Sequence, residues 1–148
     1  MPSETGPSGL TPQHAGRRYP ATAPYVVSAA KIDEFATAIA DRNPAYRGAD
    51  PIAPPTFAMV IAAQAWQALF DDEELGLRLD HCIHTDQSFE WARPLRAGDA
   101  VIATLEIASV RRRRDTDIIG LEVSLDTPGG EHLATASSTL WHTRGEAA

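Results

Sequence analysis

The sequence predicts an α+β fold in which a curled antiparallel sheet wraps one apolar helix, and three observations carry that prediction. A near-continuous apolar stretch from Thr56 to Phe70 lies in the first half of the chain. Four segments that alternate apolar and polar residues with a period of two follow it. The connections between those segments are too short for parallel crossovers, so the strands pair antiparallel. A length of 148 residues fits one domain, and 43% apolar against 22% charged content is enough to bury a core.

Met1–Gly16 and Arg144–Ala148 lack periodicity and are expected to be disordered tails, which leaves 17–143 as the domain. Tyr25, Val26 and Val27 form a short strand-like run after Pro24. Ser28 stands where an N-cap offers its hydroxyl to free backbone N–H groups. The helix behind it carries Ile32, Phe35, Ala36 and Ile39 at steps of three and four. Asn43-Pro44 closes it, because a residue before proline avoids the helical region.

Pro54 and Pro55 mark the entrance of the second helix, where a missing N–H costs least. From Ala58 to Phe70 only Gln64 and Gln67 are polar, so the helix has no broad solvent face and something must wrap it. The wrapper is read as strands over His81–Trp91, Ala100–Val110, Asp117–Leu125 and His132–His142. They are separated by Pro94 with Gly98-Asp99, by the run Arg111–Arg114, and by Pro128-Gly129-Gly130. Val101, Ala103, Leu105 and Ile107 face one way in the second, as do Ile119, Leu121, Val123 and Leu125 in the third. A strand, a buried helix and an antiparallel run together describe a single hot-dog domain.

Thirteen Lys and Arg against twenty Asp and Glu give a formal charge of -7, which disfavours general binding to nucleic acid. The longest unbroken apolar stretch, Phe57–Ala63, is far short of a membrane span. No basic start or apolar block resembling a secretory signal precedes the domain, so the cytoplasm is the expected location. Cys82 is the only cysteine, which excludes an internal disulfide and any multi-thiolate metal site within one chain. It reads as a small buried apolar residue.

The most specific segments are Asp41-Arg42-Asn43-Pro44-Ala45-Tyr46, Ile52-Ala53-Pro54-Pro55-Thr56-Phe57, His84-Thr85-Asp86-Gln87-Ser88-Phe89, and Arg93-Pro94-Leu95-Arg96-Ala97-Gly98-Asp99. In combination they resemble the MaoC-like (R)-specific 3-hydroxyacyl-thioester hydratases and dehydratases, and most of all their small actinobacterial single-hot-dog members. The family reaction requires a base for the proton beside a thioester carbonyl, an acid for the departing hydroxyl, and a donor for the enolate oxygen. Catalytic members carry Asp, any residue, Asn, Pro, any residue, His. Asp41, Asn43 and Pro44 match that pattern, but Tyr46 occupies the histidine position, and a phenol with a reference pKa near 10 is a poor base at neutral pH.

A second departure is independent of the first. Catalytic relatives place a glycine N–H at the entrance of the central helix to hold the thioester oxygen, and Pro55 stands at the matching position. Proline has no N–H to give. Losing one oxyanion donor costs about 3–4 kcal/mol of transition-state stabilisation, roughly a hundred- to thousandfold in rate. Asp41 and Asn43 also suit a plain structural role as helix-end and turn residues. Only six residues separate Tyr46 from Ala53, shorter than in relatives, which implies a more open site.

The resemblance therefore implies an acyl-binding subunit without its own catalytic histidine, paired with a catalytic MaoC-like hot-dog subunit and working on an acyl carrier protein or coenzyme A thioester in fatty-acid or polyketide elongation. No cofactor is expected. The alternatives are a self-sufficient homodimeric dehydratase or thioesterase using Asp41, Tyr46 or His84 in a rearranged site, and a non-enzymatic acyl-thioester-binding protein. Thr56, Phe57, Met59, Val60 and Ala63 are the tunnel-lining candidates, with core filling as the competing role.

His84 and Asp86, read on one strand face, and Gln87 are the candidate subunit contacts. A metal site among His81, Cys82, His84 and Asp86 is disfavoured, because the odd spacing turns His81 to the opposite face. Arg111, Arg112, Arg113 and Arg114 form the only basic block and are read as a hairpin turn, solvated or steering an acidic carrier. His14 and His132 give no signal.

Overall fold

The computed structural model describes residues 9–145. Strand β1 (Tyr25–Val26) and helix α1 (Ala29–Ala38) precede the long helix α2 (Ala58–Asp71), and β2 (Cys82–Trp91), β3 (Ala100–Arg113), β4 (Thr116–Asp126) and β5 (His132–Thr143) complete one sheet in the order β1-β3-β4-β5-β2. Every pairing is antiparallel. The sheet curls over α2, and Ala58, Ile61, Ala62, Ala65 and Leu69 form the buried side of that helix. Val101, Ala103, Leu105, Ile107, Ile119, Leu121, Val123 and Leu125 meet it from the sheet.

Ser28 caps α1 by accepting from the Lys31 N–H at 3.1 Å. The helix ends with the N–H of Asp41 bonded to the Ala36 carbonyl and that of Ala40 to the Thr37 carbonyl, which puts Ala40 at φ +58° where glycine is the usual residue. Pro55–Phe57 forms a 3₁₀ turn ahead of α2, so the double proline leads into a tight turn before the helix proper.

The expectation of a helix wrapped all round is corrected in part. Ala63 is exposed and Met59, Val60, Trp66 and Phe70 are only half-buried, so one side of α2 is left uncovered by the described residues. A single curled sheet covers only the helix face turned toward it.

The expected N-terminal tail is also shorter than the sequence suggested, because Leu10 and His14 are buried. Gly16, Arg17, Tyr19 and Thr22 exchange backbone hydrogen bonds with Ala103, Leu105 and Ile107, covering the outer edge of β3. Arg17 binds Asp72 and Glu74 at 2.8 Å each, and the Tyr19 hydroxyl donates to Asp72 at 2.6 Å, tying this segment to the end of α2. His14, which carried no sequence signal, accepts from the Thr11 N–H at 2.9 Å through Nδ1. At the other terminus Arg144 is held by Asp117, so it belongs to the folded part. The remainder of both expected tails, residues 1–8 and 146–148, lies outside the described residues.

The sheet ends in the two-residue β1 on one side and in β2 on the other, so β2 is its long free edge among the described residues, and Ile83 on it is 66% exposed. Among the described residues no helix is long and apolar enough to cross a membrane.

Candidate functional site

The two loops that resemble the family are brought together at one end of the sheet. Ile52 bridges to Arg96, the Ala53 N–H donates to the Leu95 carbonyl at 2.8 Å, and the Ile52 N–H donates to the Ala45 carbonyl at 3.0 Å. The Arg93-to-Asp99 segment is held by its own charges. Arg93 grips Asp99 through both terminal nitrogens at 2.9 and 3.1 Å and reaches Glu131 at 2.8 Å, while the Arg96 N–H donates to Asp99 at 2.7 Å. Burial pushes the Asp99 carboxyl up, but the hydrogen bonds from Arg93 and from the Arg96 backbone outweigh it and hold that carboxyl below its ordinary range. The arginine, glycine and aspartate of this motif therefore fix a loop, with the glycine adopting φ +94° at Gly98.

The cavity these loops enclose has a volume of about 160 Å³ and is lined by Asn43, Tyr46, Ile52, Ala53, Pro55, Trp91 and Pro94. Among the described residues its wall holds no imidazole and no carboxylate. Tyr46 is buried on a 3₁₀ turn capped by Asn43, whose side-chain oxygen accepts from the Ala45 N–H at 3.0 Å. Asp41 accepts from the Asn43 N–H at 2.9 Å, an Asx turn, and is not part of the cavity wall. Trp91, which sequence reasoning passed over, closes the wall, and its indole N–H is buried without a partner among the described residues. Its only signal was being the last inward residue of β2.

The tunnel candidates separate. Phe57 is fully buried and packs edge-to-face on Phe35 and Tyr25, with ring centroids 5.4 and 6.3 Å apart. Met59, Val60 and Ala63 lie on the uncovered side of α2, Thr56 is exposed on the 3₁₀ turn ahead of it, and none of the four is in the wall of this cavity.

The pairing face of His84 and Asp86 is corrected. A bulge at Thr85 shifts the register, so His84 lies opposite Leu140 on the inner face while Asp86 lies opposite Thr139 on the outer one. His84 instead shares its face with Gln87, 3.1 Å from its Nε2, and Gln87 accepts from the Ser138 hydroxyl. The His84 ring meets Trp66 of α2 edge-on at 5.2 Å, joining the free strand edge to the uncovered helix side. His84 and Tyr46 do not share a cavity wall.

The arginine run is corrected for the same kind of reason. Arg111–Arg113 continue β3, and the hairpin turn is confined to Arg114 and Asp115, with Arg114 at φ +60°. A bulge at Ala108 inverts the alternation, which turns Arg112 inward beside Asp117 at 3.2 Å. All four arginines remain exposed, Arg112 included. Cys82 is half-buried, its thiol donates to the Arg78 carbonyl at 3.3 Å, and burial pushes its pKa up to about 11, so it is an inert thiol at neutral pH.

Residues 13–136 match the family model described as "FAS1-like, dehydratase domain region". The chain belongs to that family. Among relatives of this FAS1-like dehydratase-region chain, a UPF0336 protein of Cutibacterium acnes is 65% identical over 137 residues, covering 93% of this chain and 96% of the relative. A solved structure described as a MaoC-like dehydratase superposes with a TM-score of 0.81 at 27% identity. The match covers 90% of this chain but only 43% of that one, so this chain spans less than half of that protein. The C-terminally truncated HadBC complex of Mycobacterium tuberculosis, described as a 3R-hydroxyacyl-ACP dehydratase, superposes with a TM-score of 0.76 at 27% identity, covering 86% of this chain and 96% of that one. The curled sheet and its helix are the hot-dog fold of MaoC-like dehydratases.

Proposed function

We propose that this chain is the acyl-binding, non-catalytic subunit of a heterodimeric dehydratase acting on (R)-3-hydroxyacyl thioesters. The observation that carries the reading is the motif-end cavity itself, which is apolar, contains a tyrosine where the family uses histidine, and presents Pro55 where the family uses an N–H donor. The imidazole that the family uses for proton transfer and the helix-entrance N–H that it uses for the oxyanion are both missing from this wall among the described residues. A wall of Ile52, Ala53, Pro55 and Trp91 is suited to hydrocarbon, and the Trp91 N–H is a donor in search of an acceptor.

The free β2 edge and the uncovered side of α2 support a partner of the same fold. They are contiguous through the contact of His84 with Trp66, and they expose both unpaired backbone groups and apolar side chains. A catalytic MaoC-like subunit seated there pairs the strand, covers Met59, Val60 and Ala63, and brings the missing imidazole. An acyl chain held between Thr56, Met59, Val60 and Ala63 and that partner would lie along the joint between them. The exposed Arg111, Arg113 and Arg114 suit the acidic surface of an acyl carrier protein or the phosphates of coenzyme A. Such a unit belongs in the cytoplasm with fatty-acid or polyketide elongation.

The test is an assay of the purified chain on 3-hydroxyacyl thioesters, alone and co-expressed with a partner carrying Asp-x-Asn-Pro-x-His. No turnover alone, a complex with the mass of one copy of each chain, and turnover by that complex are expected. Turnover by the chain alone that disappears in Asp41→Ala defeats the reading. Tyr46→His alone is expected to remain inactive, because Pro55 still denies the oxyanion donor, and substantial activity from that single change refutes it.

A further inference from the structure

A second cavity lies at the opposite end of the sheet. His142 and Ala134, which pairs with Trp91, are eight residues apart on β5, about 26 Å at the usual strand rise. The cavity has a volume of about 290 Å³, and Leu10, Leu75, Leu77, Arg112, Asp117, Arg144 and His142 contribute its side chains. A volume near the lower end of the small-molecule range of about 300–1,000 Å³ suits a short ligand.

The polar side of this cavity is unusually arranged for a sheet interior. Asp117 is 2% exposed, and Arg112 and Arg144 both bind it, Arg144 through two nitrogens at 2.6 and 3.1 Å. Two guanidiniums against one carboxylate give the lining one net positive charge, with both arginine side chains partly open to water. His142 is 5% exposed and lies opposite Asp117 in the β4–β5 ladder. Its Nε2 accepts from the Arg78 N–H at 3.2 Å, and burial holds the ring below its ordinary pKa, so the neutral ring carries its proton on Nδ1. That buried Nδ1 has no hydrogen-bond partner among the described residues. An unsatisfied buried donor is costly unless something supplies the acceptor.

We propose that this cavity binds a small organic monocarboxylate, its carboxylate taking the His142 Nδ1–H together with Arg112 and Arg144 and its short apolar tail lying against Leu10, Leu75 and Leu77. Charge selects the class. A monoanion neutralises the single excess charge, whereas a phosphate dianion overshoots it and sets a second negative charge against Asp117. The three leucines favour a hydrocarbon tail over a bare oxoanion. The site is independent of the motif-end cavity and of the subunit reading built on it.

The experiment titrates the full chain with sodium hexanoate, 1-hexanol and sodium phosphate by calorimetry, with amide and imidazole nitrogen spectra recorded alongside. Saturable one-to-one binding of hexanoate is expected, with spectral shifts at His142, Gly76 and Leu77, while hexanol and phosphate bind at least about tenfold more weakly. Arg144→Gln and His142→Gln should each weaken hexanoate by at least about tenfold, since each removes one charge-assisted hydrogen bond. His142→Asn, which keeps a donor near the Nδ1 position, should weaken it less than His142→Gln. Absence of saturable binding, equal affinity for hexanol or phosphate, or shifts confined to Tyr46 and Trp91 overturns the proposal. The wild-type titrations decide even where a variant fails to fold.

Discussion

The motif end and the hairpin end of this sheet are built on opposite plans. At the motif end, where Asn43, Tyr46, Pro55 and Trp91 meet, the charged residues sit outside the cavity and brace its loops, as Arg93 does with Asp99 and Glu131. At the hairpin end a carboxylate, two guanidiniums and an imidazole line the cavity itself. The end that carries recognisable family sequence thus has little acid–base chemistry in its walls, and the end without a motif has most of the buried charge. Resemblance in sequence marks where a backbone scaffold is kept, while burial decides where charge has to be matched.

The comparison can be broken most sharply at Phe57. It belongs to the core of the motif end rather than to a ligand surface, so Phe57→Ala should cost about 3–5 kcal/mol of stability, measured by denaturant unfolding. A loss below about 1 kcal/mol accompanied by loss of acyl binding would return it to the tunnel.

Asp117→Ala should cost less, about 1–2 kcal/mol. Removing a buried partner is expensive, but the arginines it releases are 42% and 35% exposed and can rehydrate. A larger loss, by the same measurement, would show that both guanidiniums are trapped.

The two ends should also separate on acidification. Burial, then the positive charges of His81 and Arg78, lower the His142 pKa from 6.5, so the unfolded chain takes up that proton first. Stability at the hairpin end therefore starts to fall as pH drops below about 6.5, and His142→Asn should remove that limb. Asp99 has a folded pKa below its ordinary 3.8, so its contribution is complete well above that value and disappears as pH falls through the folded pKa. Arg93→Gln should flatten this second, more acidic limb. Denaturant midpoints across pH 3–8 check both, and a single limb common to both variants would erase the distinction.

The smallest expected effect is a gain. Ala40 holds a left-handed conformation at the end of α1, so Ala40→Gly should stabilise by about 0.5–1 kcal/mol in the same unfolding measurement. No gain would mean that the turn is set by Asp41 and Asn43 instead.

Period and punctuation in the amino-acid sequence were enough for the fold: alternation placed β2 to β5 to within a few residues, and the apolar run placed α2, because one-sided burial writes its period into the chain. The Asx turns of Asp41 and Asn43 and the departures at Tyr46 and Pro55 were legible for the same local reason. Tertiary structure alone decided which residues share a face and which are covered. The bulges at Thr85 and Ala108 each reverse an alternation, separating His84 from Asp86 and sending Arg112 inward, and a one-residue slip leaves no mark in composition. The burial of His14 and His142, the uncovered side of α2 and the cavity around Asp117 likewise depend on segments far apart in sequence, whose approach no local pattern encodes.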